Sequence, residues 1–182
     1  MLGSMMVTPV SDREVRLTCE DPKCPLHHLG TRALPATGFF ILTMDMIAEL
    51  QQTAVSIPAN AWHTPPAPGQ PTPHHTLAHL RAVEAQAISV RLRRILDESE
   101  PYLPLFDDDG WMAAHYDPAE PVQSILDDYA RLRQQELTWL QDLPPITWNR
   151  TARHPWWGVR ALQWWVEQCL LISRQHLAQL TP

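Results

Sequence analysis

Few of the 182 residues are basic: 14 Lys and Arg stand against 20 Asp and Glu, for a net charge of -6. The basic side chains are scattered through helical segments and form no stripe, which argues against nucleic acid as a partner. Long apolar runs are lacking too. No stretch approaches the roughly 20 residues a membrane helix needs. Met1 to Val10 has neither the basic start nor the apolar core of a secretory leader, so a cytoplasmic protein with no membrane partner is expected. Cysteine is scarce, with three residues, and the odd count does not suit a disulfide framework. Strand-like alternation and internal repeats are also missing.

What is present suits a helical core. The chain is 45% hydrophobic and 19% charged, with eight tryptophans to supply large apolar area. Residues 1–36 show prolines and charges without sustained periodicity and are expected to form an irregular N-terminal extension to a domain over 37–182. Phe39, Leu42, Met46, Leu50 and Ala54 then recur at helical spacing, with Thr37 able to cap the start and Pro58 ending the run. Six prolines between Pro58 and Pro73 exclude a helix and impose an extended crossing. A second helix is predicted over about 74–98, with Leu77, Leu80, Ile88, Leu92 and Ile95 inward and Arg81, Arg91, Arg93 and Arg94 reaching solvent.

Tyr102 to Pro121 is read as a long connection lying across one end of the bundle, with Asp107-Asp108-Asp109-Gly110 a solvated turn. Val122, Ile125, Leu126, Tyr129, Leu132, Leu137, Leu140 and Leu143 mark a third helix, stopped by Pro144-Pro145. The fourth follows Gly158, with Leu162, Val166, Cys169, Ile172, His176 and Leu180 on its inward face. Four amphipathic helices pack most simply as an all-α four-helix bundle, and the long joins imply crossover connections.

Within such a bundle His79 and His176 can face one another across the interior, where bundles place metals. From spacing alone, each is more often a packed histidine with one ring nitrogen hydrogen-bonded than a ligand. Cys19, Cys24, His27 and His28 form a compact set that could enclose zinc, against the plainer reading of chance proximity in a surface loop. Trp156-Trp157 and Trp164-Trp165 pack as core and dimer surface or, with Trp111, wall a pocket; the pocket is assigned to Trp111, Trp157 and Trp165. A homodimer is the expected assembly if a tryptophan is exposed.

Pro73-His74-His75-Thr76-Leu77-Ala78-His79-Leu80, then Tyr102-Leu103-Pro104-Leu105-Phe106-Asp107, Trp148-Asn149-Arg150, His154-Pro155-Trp156-Trp157-Gly158 and the helix through His176 occur in an order that resembles the DinB/YfiT-like family, over about Phe39 to Leu180. The resemblance implies a four-helix bundle and a divalent metal, nickel or zinc, on three histidines, in a hydrolase or thiol S-transferase acting on a small molecule. It maps the first ligand onto His79 and the last onto His176. The middle one falls four residues before the last, where this chain has Ile172. Cys169 lies roughly 10 Å along the helix from His176 and is read as core. Glu84 and His75 are the remaining replacement ligands. The competing expectation, motivated by Ile172, is a non-catalytic bundle that has lost its metal and binds a small apolar ligand or a protein partner.

Overall fold

The computed structural model describes residues 5–11, 14–19 and 33–180, with side chains from residue 46 to residue 180. It divides into two units, one up to Asp45 and one from Met46.

In the first unit, strand β1 (Met5–Ser11) pairs antiparallel with β2 (Glu14–Cys19), and β2 with β3 (Ala33–Pro35). The sequence reading found only irregular chain here. The alternation of Glu14, Arg16 and Thr18 with Val15, Leu17 and Cys19 is the period-2 signal of a strand, though a six-residue run is short beside the neighbouring prolines and charges.

The second unit is helical. Helix α1 (Ala36–Ser56) enters it at Met46, and Leu50 and Ala54 are buried there. Helix α2 (Pro73–Val83) starts where Thr72 accepts a hydrogen bond from the His75 amide at 3.1 Å, with Pro73 in the first turn. Removing that cap in Thr72→Ala should cost about 1 kcal/mol. Thermal melts should register it as a fall of about 2–4 °C.

A single widened π turn, Glu84–Ile88, joins α2 to helix α3 (Ser89–Asp97). The extra residue in that turn rotates everything after it by about one position. Leu92 stays in the core, 1% exposed, as its spacing predicts, and Arg91 beside it is half-buried rather than in solvent.

The long connection holds helix α4 (Asp108–His115), which contacts α2. Asp107 caps it by accepting from the Gly110 amide at 3.0 Å, so the aspartate run is a helix start rather than a solvated turn. A Cβ at Gly110 would collide with that capping carboxylate. Helix α5 (Val122–Leu140) follows. Its buried positions are Ile125, Leu126, Tyr129, Arg133, Glu136, Leu137 and Leu140, so two charged residues stand on the inward face.

Before the last helix, α6 (Leu162–Leu180), a hairpin pairs β4 (Thr151–His154) with β5 (Gly158–Ala161). Four-residue strands are too short for alternation to reveal. Gly158, at φ +66°, closes the hairpin, whereas the sequence placed the helix directly after it. Arg150 binds the hairpin to the end of α3 by donating from Nε to the Ile95 carbonyl at 2.7 Å and from Nη2 to that of Glu98. The core of the unit gathers Leu77, Leu80, Met112, Ile125, Leu126, Tyr129 and Leu180, so α2, α4, α5 and α6 surround one apolar centre.

Candidate functional site

His79, on α2, and His176, on α6, meet. His79 Nδ1 lies 3.1 Å from His176 Nε2, with the ring centroids 5.1 Å apart. The outer nitrogen of each ring is committed elsewhere. His176 Nδ1 is 2.8 Å from the Ile172 carbonyl, which can only accept, so that nitrogen carries the proton. His79 Nε2 is 3.0 Å from Asp108 Oδ2, and a carboxylate is likewise an acceptor, so the proton is there. With both outer nitrogens donating, the two facing nitrogens present lone pairs to each other.

Two facing lone pairs repel unless a proton or a cation stands between them. Burial, and secondarily the neighbouring His79, draw the His176 imidazole below its ordinary range, against opposing contributions from the Ile172 carbonyl and Asp108. A shared proton is therefore a poor resolution. A divalent cation suits the donor set better: two imidazole nitrogens on one tetrahedral ion stand about 3.3 Å apart, and each outer N–H already has the oxygen partner that metal-bound histidines use. Among the described residues no third His, Cys, Asp or Glu completes the set.

Asp108 escaped the sequence reading because an aspartate run looks solvated. The usable signal was its place directly after Asp107, the capping residue of an Asp-x-x-Gly, which projects it from the first turn of α4. His75 lies one turn before His79 and packs edge-on against Tyr116, with ring centroids 4.7 Å apart. Burial, then His79 and His74, lower its proton affinity, with Asp109 opposing. His74, fully buried, bonds the Tyr116 hydroxyl at 2.9 Å and the Glu120 carbonyl at 2.8 Å. It holds α2 against the connection and has no nitrogen to spare.

Glu84 also has a different task. It is completely buried and accepts from Arg133 Nη2 at 2.8 Å. The same Nη2 reaches the Tyr129 hydroxyl at 3.0 Å and Ser173 Oγ at 2.6 Å, while Ser89 donates to Glu136. One guanidinium thus faces two buried carboxylates. Burial pushes the Glu84 carboxyl well up, Arg133 opposes, and its hydrogen bond with Glu136 adds to the rise. A proton shared by the two carboxyls gives partners to Glu84 Oε1 and Glu136 Oε2, which otherwise lack them. This cluster joins α2, α3, α5 and α6 one turn from His176.

Trp157 and Trp165 line a cleft with Ile88, Arg91, Leu92, Gln168, Cys169 and Ile172, its empty volume about 260 Å³ including the open mouth. Trp111 is elsewhere: it packs beside the apolar core and stacks on His115 at 4.5 Å. Trp156 is 75% exposed. Cys169 is buried and donates to the Trp165 carbonyl at 3.1 Å, and burial raises its thiol well above the ordinary value, so it is inert core. Cys24, His27 and His28 lie outside the described residues, and of Cys19 only its backbone at the end of β2 is within them.

No curated protein matches the chain. Among solved structures, YfiT from Bacillus subtilis, described as a probable metal-dependent hydrolase with an unusual four-helix bundle topology, superposes with a TM-score of 0.72 at 18% identity, covering 80% of this chain and 83% of that one. At that identity the likeness speaks for the fold. The family profile is the stronger finding: it matches residues 44–180, nearly the whole helical unit, and on that match the chain belongs to the DinB superfamily.

Proposed function

We propose that the chain is a metal-dependent hydrolase or thiol S-transferase whose divalent cation, nickel or zinc, is held by His79 Nδ1 and His176 Nε2. One observation carries the reading: two ring nitrogens on different helices stand 3.1 Å apart with both of their outer nitrogens already donating. When bound, the cation lowers the pKa of a water or thiol and so supplies the nucleophile. The chain's own part is positional. Asp108 fixes the His79 tautomer, and the Ile172 carbonyl fixes that of His176, one helical turn before it. With Ile172 where the family's middle histidine is expected, two protein nitrogens leave the remaining coordination positions to water and substrate. Asp108 is 45% exposed beside His79, so this is the side from which a substrate can enter.

Metal content and thermal unfolding test the proposal on the full chain. Protein purified without chelator should carry close to one equivalent of metal, lost in His176→Ala. Nickel or zinc at about one hundred times its Kd should stabilise the fold by about 2.7 kcal/mol, a rise of about 5–10 °C. His79→Ala should abolish the rise, and Asp108→Asn should weaken metal binding about 10–100-fold. A melting temperature indifferent to saturating metal would leave the non-catalytic bundle as the surviving reading.

A further inference from the structure

His79 and His176 give a cation two nitrogens, whereas a catalytic site of the zinc type takes three protein ligands and keeps one position open. Residues four apart on a helix lie about 40° apart around its axis and project to one side, so the positions one turn from either histidine are the natural places for a further ligand. On α6 those positions hold Ile172 and Leu180, neither of which has a lone pair to offer. On α2 they hold Val83 and His75. Of the four, His75 alone carries a donor atom. Asp108, which comes from a separate helix, is already engaged at the outer nitrogen of His79.

The histidines at this end of the bundle differ in what their ring nitrogens do. Both nitrogens of His74 are bonded, to the Tyr116 hydroxyl and the Glu120 carbonyl. Those of His79 and His176 face each other and are otherwise committed to Asp108 and the Ile172 carbonyl. The contacts of His75 are of another kind. Its amide donates to Thr72, its half-buried ring lies edge-on to Tyr116, and neither ring nitrogen has a hydrogen-bond partner among the described residues. It is a lone-pair donor with nothing to give up but a ring contact.

We propose that His75 is the third protein ligand of the cation, an inference that rests on the metal reading of His79 and His176. His75-x-x-x-His79 on α2 is then the chelating pair, and His176 closes the set from α6. Three imidazoles leave one position for the water or thiol to be activated. The three rings are not gathered as a set among the described residues, so binding has to draw the His75 ring off Tyr116 by rotation of its side chain. An edge contact between rings is weak beside an imidazole–metal bond, and no hydrogen bond is broken in the exchange.

Zinc titrated into the full-length protein against a chromophoric chelator gives the Kd, and X-ray absorption at the zinc edge gives the number of coordinated imidazoles. Three imidazoles are expected in the unsubstituted protein and two in His75→Phe, which keeps a ring against Tyr116 while removing both nitrogens. The Kd should weaken by about 100-fold or more in both His75→Phe and His75→Ala, at or above the top of the range for a residue that acts through a ligand, as Asp108 does. A smaller loss in both variants would overturn the assignment and leave the His79–His176 pair standing. Two imidazoles in the unsubstituted protein, or the same count in His75→Phe, would do so as well. An unsubstituted protein that binds no zinc would remove the pair itself and the third ligand with it.

Discussion

Arg133→Met should destabilise the protein by about 3–5 kcal/mol, the range expected when one partner of a buried ion pair is removed. Arg133 is 3% exposed, and Glu84 and Glu136 are 0% and 1% exposed. The methionine fills much of the space but leaves two carboxyls buried with no cation, and it deprives Tyr129 and Ser173 of their shared donor. Chemical denaturation at pH 7 measures the loss. The double variant Glu84→Gln with Arg133→Met should recover part of it, because a neutral amide no longer needs the charge, and the cycle should show a coupling of at least about 1 kcal/mol. A loss below 1 kcal/mol for the single variant would mean that the cluster does not hold the helices together.

Glu167→Gln should do the opposite. Glu167 is 4% exposed, its Oε1 accepts from Gln163 at 3.1 Å, and its Oε2 has no partner. Burial, against the opposing hydrogen bond from Gln163, raises its carboxyl from 4.5 to about 8. The sign follows from that direction: an acid whose folded pKa is raised contributes stability that is fully present below its unfolded value and is lost as pH rises through the folded one. Above pH 4.5 the unfolded chain is ionised at this position while the folded chain must hold a proton until about pH 8. At pH 7 the glutamine should therefore stabilise the fold by about 2–3 kcal/mol, of the order of 4–12 °C in melting temperature. At pH 4.5 the gain should vanish. Melts of both proteins across that interval check it, and a pH-independent difference would count against a protonated Glu167.

Much of the helical frame was legible. Leu77, Leu80, Ile88, Leu92 and Ile95 are all buried as their spacing predicts, and Pro58 follows the end of α1 as expected, but the third helix stops at Leu140, ahead of a left-handed Asp142, rather than running through Leu143 to Pro144. The third helix shows the limit of such reading. Its inward row runs Ile125, Tyr129, Arg133, Glu136, Leu140, but a search for apolar residues slides to Leu132 and misses the charged pair. Charged residues look solvated in a sequence because their partners, here Glu84 and Ser89, come from other helices. Arg91 failed for the same reason: a charged side chain looks solvated, and the Trp157 and Trp165 indoles that cover it come from other segments of the chain.

The site divides along the same line. Histidines at 79 and 176 and the isoleucine at 172 could be singled out from helical phase and family resemblance, because both depend on one-dimensional order. Chain order could not say that those rings would stand 3.1 Å apart, that Asp108 would reach His79 from a separate helix, or that Trp111 would leave the tryptophan cleft. Periodicity determines which face of a helix turns inward, since burial of apolar area acts on each helix locally. Which inward-facing groups then meet depends on packing between helices, and only the folded chain decides the proton positions and orphaned donors that give those groups their chemistry.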